Sequence, residues 1–416
     1  MAGAESGSAL HTRCCIAGGG PAGLMLGLLL ARAGVEVLVL EKHADFLRDF
    51  RGDTVHPSTM EILDQLGLLD DFLARPHQEL REVSAVISGE RLTLADFQHL
   101  PTRAKFIALM PQWDFLNFLA EHARKLPAFA LALQREVVGL IEEGGRVVGL
   151  RALGPQGPLE VRCDLVVGAD GRGSAVRALA GLEVQDLGAP IDVLWMRISR
   201  REGDPQYGLG VLSRGRLLVM LDRGDYWQCA FVIRKDGFEA LRAQGLAELR
   251  AELAELAPFL RERMAELASW DDVKLLTVRV DRLREWSRPG LLCIGDAAHA
   301  MSPVGGVGIN LAIQDAVAAA NALAGALGSG APSPEALRSV QRRRELPTRV
   351  VQRVQVLIHE NVIAPTLRGR ATPRAPGIVR LVDRLPLLRR IPARLVGLGF
   401  RRERVSERIR SRPSRG

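Results

Sequence analysis

The chain has 416 residues, 47% apolar and 25% charged, which is long enough for two or three domains sharing a large core and too apolar for global disorder. Its net charge of +8 is uneven: residues 366–416 carry 15 arginines against three acids, a net of +12, which leaves −4 for the rest and gives no case for nucleic-acid binding. Five cysteines without CxxC spacing (Cys14, Cys15, Cys163, Cys229, Cys293) read as reduced core residues, and eight scattered histidines give no metal-ligand spacing.

The start, MAGAESGSALHTR, lacks the basic segment and apolar run of a signal peptide, and the first apolar helix is broken by glycines and an arginine. A cytoplasmic protein without a transmembrane segment is expected. Residues 13–18 read as a strand running into Gly18-Gly19-Gly20-Pro21-Ala22-Gly23, which fits GxGxxG. An apolar helix (24–33) ending at Gly34 and an apolar strand (35–40) ending in Glu41 follow. In such a βαβ unit the helix amino end takes a pyrophosphate and the acid takes ribose hydroxyls, although the fingerprint alone does not separate FAD from NAD. No second unit of this kind is visible.

After 50–57 (FRGDTVHP) comes an amphipathic helix, 58–66, stopped by Gly67; residues 79–100 alternate apolar and polar; Gln112 precedes a helix over 115–123. Residues 137–152 read as a hairpin turning at 142–145, followed by a short strand at 159–163 and then DLVVGADGRGSAVR, a buried strand ending in Asp170-Gly171 before a helix. Between 187 and 268 the composition changes to paired strands (192–199, 208–213, 216–222, 225–234), expected to form an antiparallel sheet, then helix over 239–267 broken near Pro258. On those strands Trp227, Cys229 and Phe231 share one face, while Trp195 and Arg197 lie together.

The densest stretch is 291–315, LLCIGDAAHAMSPVGGVGINLAIQD. An apolar strand ends in Gly295-Asp296, placing a carboxylate where open α/β sheets hold ligands, and a glycine-rich turn allows close approach of a flat ligand to a helix amino end. That helix is expected to run to 327. Another, from 333, is expected to be interrupted at Pro347 and to resume over 348–362. The arginine- and leucine-rich tail could dock on the body, pair subunits or lie on an acidic membrane surface; its prolines put docking or partial disorder first.

GDAAH followed by Pro303, Gly308, Asn310 and Asp315 resembles the second flavin-binding motif of the class A FAD-dependent monooxygenases, the family of para-hydroxybenzoate hydroxylase. GxGxxG and the DG motif at Asp170-Gly171 agree in order, and the resemblance spans about residues 12–325. It implies an α/β fold: a discontinuous Rossmann-like FAD-binding domain (1–75, 101–186, 275–330), an inserted antiparallel-sheet substrate domain (76–100, 187–274) and a C-terminal helical, arginine-rich region (331–416). FAD contacts are implied at Gly18, Gly20, Ala22, Gly23, Glu41, Lys42, Arg51, Gln112, Val138, Asp170, Asp296, Pro303, Gly306, Gly308, Ile309 and Asn310. Arg177 is read as structural. Trp195, Arg197, Met220 and Trp227 are implied to line the substrate pocket.

The activity implied is hydroxylation of a small aromatic or polyketide-like substrate with NAD(P)H and O2 through a flavin C4a-hydroperoxide, by a monomer or homodimer. No catalytic residue is identified; His56, Asp53 and Pro303 are the candidates. A dehydrogenase or reductase on the same flavin fold, or a flavoprotein that binds a small molecule without turnover, stays open. The tryptophan-rich motif and lysine of related halogenases are not found.

Overall fold

The computed structural model describes residues 9–47, 54–87, 89–205, 209–213, 215–369, 375 and 377–411. Its central strand, Leu10–Ala17, is fully buried from Cys14 onward. It lies parallel to Val37–Leu40 on one side and to Gly157–Gly168 on the other, with Phe129–Ala132 and Leu291–Cys293 as the next strands out. Covered on both faces, these strands read as continuous apolar runs. Their register sets Ala17 level with both Leu40 and Gly168, and Gly168 level with Cys293. Gly18, Glu41, Ala169 and Ile294 therefore leave the sheet at one carboxyl edge, on both sides of the central strand, where open sheets take their ligands.

Residues 157–168 form one strand of 12 residues, joining the two segments read separately from the sequence, and Glu136–Glu143 and Arg146–Gly154 extend it as an antiparallel meander. Two apolar helices, Pro21–Arg32 and Gly308–Ser329, pack on the parallel sheet and on each other. The second is long and apolar enough to cross a bilayer, but most of it is buried in the core.

A seven-stranded sheet stands over this layer in the order Lys274–Leu276, Ile191–Ser199, Tyr226–Arg234, Arg216–Asp222, Leu209–Ser213, Glu82–Ile87, Glu90–Asp96. It is not wholly antiparallel as expected, because Leu209–Ser213 pairs parallel with Glu82–Ile87. Its outer face, with Leu194, Met196, Met220, Trp227 and Phe231, is covered by the helix Leu246–Leu256 and the 3-10 segment Pro258–Glu266. Its inner face carries Ile191, Val193, Leu217, Ala230 and Val232.

Helix Pro334–Ile358 runs unbroken through Pro347, against expectation. Proline removes a single helix hydrogen bond, and burial of Arg344, Pro347 and Thr348 on the same stretch holds the turn in place. The tail docks on the body: Ala393 and Leu398 pack with Phe97 and Ile107, and Val405 and Ile409 enter the main core. All five cysteines are free, with Cys163 half-buried and the others buried.

Candidate active site

The glycines of the first turn fall into two kinds. A Cβ on Gly18 (φ +109°) would lie 2.3 Å from Ala169 O, and one on Gly23 would lie 1.9 Å from Gly18 O. Gly18 stays bare against the end of the neighbouring strand, and Gly23 so that its helix can meet the turn. Gly20 has an ordinary extended backbone (φ −76°, ψ −175°), yet a Cβ there would meet nothing within 4 Å. Open space therefore lies at the amino end of the helix Pro21–Arg32, the position of Pro21 and the buried Ala22. Gly171 and Gly173 face open space in the same way.

Glu41 is buried, its Oε2 accepting from Gly19 N at 2.9 Å and its Oε1 from His43 N at 3.0 Å, so the carboxylate is aimed before any ligand arrives. Lys42 beside it is exposed. Gln112, half-buried, opens the helix Gln112–Arg124, and Val138 is 45% exposed on Glu136–Glu143. Arg51 and Asp53 lie outside the described residues.

Asp296 sits on the 3-10 turn Gly295–Ala297 with its side chain 31% exposed, and its Oδ2 accepts from Arg172 Nε at 3.1 Å. Arg172 Nη1 is buried without a hydrogen-bond partner among the described residues. A guanidinium with a buried, unpartnered nitrogen, a carboxylate and the bare Gly20, Gly171 and Gly173 together suit a ligand carrying both phosphate and hydroxyl oxygens. A flavin dinucleotide fits that demand. Asp170 differs: its Oδ1 accepts from Ser174 Oγ at 2.5 Å and its Oδ2 from Val176 N at 3.1 Å, which caps the short helix Ala175–Leu179. Arg177 is buried against Asp281 at 3.3 Å, a structural tie.

In the second turn Gly305 and Gly306 have φ of +81° and +61°, conformations that favour glycine. Thr54 Oγ1 donates to Gly306 O at 2.9 Å. Asn310 Oδ1 accepts from His56 N at 3.0 Å and from Thr59 Oγ1 at 2.7 Å, so this side chain ties the turn to the helix Pro57–Gln65. What remains for a ligand is main chain: the amides of Gly308, Ile309 and Asn310, in the first turn of their helix, have no acceptor four residues back. Pro303, half-buried, precedes the turn.

His56 is fully buried; its Nδ1 donates to Val396 O at 2.8 Å and its Nε2 has no partner among the described residues. Burial pushes its pKa down to about 4, so it is neutral near pH 7. Sealed beneath the tail helix Pro386–Gly397, it has the place of a packed histidine at a helix start.

The four residues expected to line a substrate pocket do not share a surface. Register pairs Trp195 with Ala230 and Met220 with Cys229, and strand alternation then turns Met220 and Trp227 to the outer face. There Trp227 Nε1 donates to Asp204 Oδ2 at 2.8 Å, and Asp204 is also paired with Arg263 at 2.6 Å. Burial alone would raise the Asp204 pKa, but Arg263 and the indole outweigh it and hold it at about 2. Arg197 is exposed at one end of the sheet, 3.2 Å from Asp225, in a polar surface hollow with Glu266, Asp271 and Lys274. Of the four, only Trp195 packs against the inner apolar cluster of Ile191, Val193, Ala230 and Val232, a cluster that Val219 and Val304 of the second turn also meet.

Sequence reasoning missed the residues that carry the loop before that turn. Gln355 accepts from Ser302 N at 3.1 Å and donates to Val304 O at 2.9 Å, while His359 Nε2 lies 2.9 Å from Ser302 Oγ. Gln352 donates to Ala300 O at 3.1 Å. The signal was present as polar residues spaced three and four apart (352, 355, 359) on one helical face.

A parallel sheet with a glycine turn, a buried acid at the end of the next strand, a second glycine turn and a separate, largely antiparallel sheet is the fold of the flavin-dependent hydroxylases. A family model described as "FAD binding domain" matches residues 11–354, and the chain belongs to this family as an FAD-dependent monooxygenase. It is 36% identical over 397 residues, 92% of each chain, to 6-methylpretetramide 4-monooxygenase of Streptomyces rimosus. It is 33% identical to a 12-dehydrotetracycline 5-monooxygenase/anhydrotetracycline 6-monooxygenase of the same species, covering 79% of this chain and 65% of that one. Among solved structures, the anhydrotetracycline hydroxylase of Streptomyces rimosus superposes with a TM-score of 0.72 at 26% identity, over 93% of this chain and 76% of that one.

Proposed function

We propose that the protein hydroxylates a fused polycyclic phenol of the polyketide kind, with NAD(P)H as reductant and O2 as oxidant. The carrying observation is the apolar cluster on the inner face of the covering sheet, with Val193, Ala230 and Val232, against which Trp195, Val219 and Val304 of the second glycine turn each pack. Flat apolar rings are the ligands such a layer suits. The 36% identity with 6-methylpretetramide 4-monooxygenase supports the substrate class.

Bound FAD would supply electron transfer from the reductant and activation of oxygen. The chain's residues would do the rest. Gly20 and the first turn of the helix Pro21–Arg32 receive the pyrophosphate, Glu41 the adenosine ribose, and Asp296 with Arg172 the polyol and phosphate between. The amides of residues 308–310 and their helix dipole stabilise negative charge on the flavin ring. Val304 and Trp195 keep water from the reacting layer. Gln355 and His359 hold Ser302–Val304 at fixed height.

In this reading residues 1–75, 101–186 and 275–330 form the cofactor-binding unit, 76–100 and 187–274 the cover, and the enzyme works in the cytoplasm as a monomer or homodimer. The test is NAD(P)H oxidation by the FAD-loaded enzyme against a panel of polyphenols and polyketide aromatics under 18O2. Stimulated oxidation with one labelled oxygen in the product is expected. Product without label would select a dehydrogenase, and binding without stimulated oxidation a non-catalytic binder.

A further inference from the structure

Among the described residues, six of the 17 exposed large apolar side chains lie between Ile378 and Leu395, and two of them, Leu387 and Ile391, are 68% and 66% exposed. They are not scattered. Helix Gly377–Arg384 and the residue after it present Ile378, Leu381 and Leu385 at helical spacing, and Pro386–Gly397 presents Leu387, Ile391 and Leu395 four apart. The opposite sides of both helices are committed to the body, Val379 packing on Ile87 and Leu92, and Ala393 on Phe97 and Leu100. The exposed rows are thus held outward by a docked backbone.

Arginines share these rows. Arg384, Arg390 and Arg394 are exposed and make no ion pair or hydrogen bond among the described residues, whereas Arg380, Arg389 and Arg402 are paired with Glu90, Asp383 and Glu61. Asp383, the only carboxylate in these helices, is already taken by Arg389 and Thr93 N. Arg390 and Arg394 alternate with Leu387, Ile391 and Leu395 on one face.

We propose that this face docks on an anionic lipid surface. Acyl chains would take the aliphatic row and lipid phosphates the unpaired guanidiniums, a pairing of apolar and basic demands that interfacial helices make. A second copy is disfavoured, because a two-fold contact through this patch would set its arginines against their own copies with no free carboxylate between them. An acidic protein would answer the arginines and leave the aliphatic row uncovered.

The experiment sediments the full-length, FAD-loaded protein with vesicles of phosphatidylcholine alone or with a third phosphatidylglycerol, at low and high salt. Binding to the anionic vesicles only, weakened by salt, is expected. Each arginine is worth about a factor of five near such a surface, so a variant with Arg384→Gln, Arg390→Gln and Arg394→Gln should partition about a hundredfold more weakly. Leu387→Ser with Ile391→Ser should lose binding too, with flavin content and melting temperature unchanged in both variants. Absence of binding to anionic vesicles overturns the proposal, as does equal binding to neutral ones or wild-type partition by both variants. Dimerisation abolished by Ile391→Ser overturns it in favour of self-association, and salt-sensitive capture by an acidic protein without vesicle binding does so in favour of a protein partner.

Discussion

Gly20→Ala tests whether Gly20 is kept bare for the cofactor, as proposed, while Gly18 and Gly23 are kept bare for the fold. Gly20 is the N-cap of Pro21–Arg32 with a backbone any L residue adopts, and its added Cβ meets nothing within 4 Å. The cofactor-free variant should therefore lose only about 0.5–1 kcal/mol, the ordinary difference between glycine and alanine at an N-cap. Gly23→Ala drives a methyl to 1.9 Å from Gly18 O, and Gly18→Ala to 2.3 Å from Ala169 O at a positive φ. Neither obstacle is a flexible side-chain end, so each should cost about 3 kcal/mol or more.

With FAD the order changes. The methyl of Gly20→Ala occupies the space through which a pyrophosphate must approach the helix amides, and overpacking of about 1–3 kcal/mol raises the FAD dissociation constant roughly 5- to 150-fold. The assay strips FAD, titrates it back by flavin fluorescence, and melts each protein with and without it. Wild type should gain about 2.7 kcal/mol at a hundredfold excess of FAD over its dissociation constant, and the variant much less at that same FAD concentration. If Gly20→Ala binds FAD within twofold of wild type, or destabilises the cofactor-free protein as much as Gly23→Ala, the assignment of the open space to the phosphate is wrong.

Asp315→Asn should lower stability by about 3–5 kcal/mol in urea unfolding, because Asp315 is fully buried and its loss leaves Arg344 with Glu403, 3.4 Å away, as its one carboxylate partner; an unchanged midpoint would refute a stabilising role for this network. FAD affinity should fall with it, since Asp315 Oδ2 also holds Gly295 N, the residue before Asp296. For His56 the folded pKa of about 4 lies below the ordinary 6.5, so the unfolded chain binds the proton first. Its stabilising effect is present above pH 6.5 and is lost as pH falls toward 4, by up to about 3 kcal/mol, and His56→Gln should flatten stability across that window in denaturation at stepped pH. Met220→Ala should cost about 2–5 kcal/mol and leave KM for the aromatic substrate unchanged, while Trp195→Ala should shift KM; equal KM shifts would show that the outer face also meets substrate.

The parallel sheet and its ligand edge were legible because each of their signals is local. A glycine turn, an apolar run closed by an acid and a GDAAH turn each sit within a few residues, and the register that levels Ala17, Leu40 and Gly168 follows once the strands are parallel. The faces of the covering sheet were half legible. Alternation separates neighbours within one strand, but whether Trp195 shares a face with Trp227 depends on the register of Ile191–Ser199 against Tyr226–Arg234, and which face looks inward on where Leu246–Leu256 packs, about twenty residues further on. The parallel pairing of Leu209–Ser213 with Glu82–Ile87 joins segments more than 100 residues apart and leaves no local mark.

The tail shows why charge counted along a chain does not report charge in a fold. Its arginine excess reads as surplus, yet its acid Glu403 is buried between Arg343 and Arg344, and Arg344 reaches Asp315, which holds Gly295 N and His299. His299 closes the GDAAH turn that carries Asp296. A continuous line of buried ion pairs and hydrogen bonds thus runs from the docked tail through two long helices to the turn expected to hold the cofactor. Such a line tolerates loss of a member poorly, because each buried charge it leaves unpaired keeps its full desolvation cost. The tail therefore serves the turn by position and charge together: Glu403, Val405 and Ile409 are buried in the body, while Arg384, Arg390 and Arg394 face out on the helices before them.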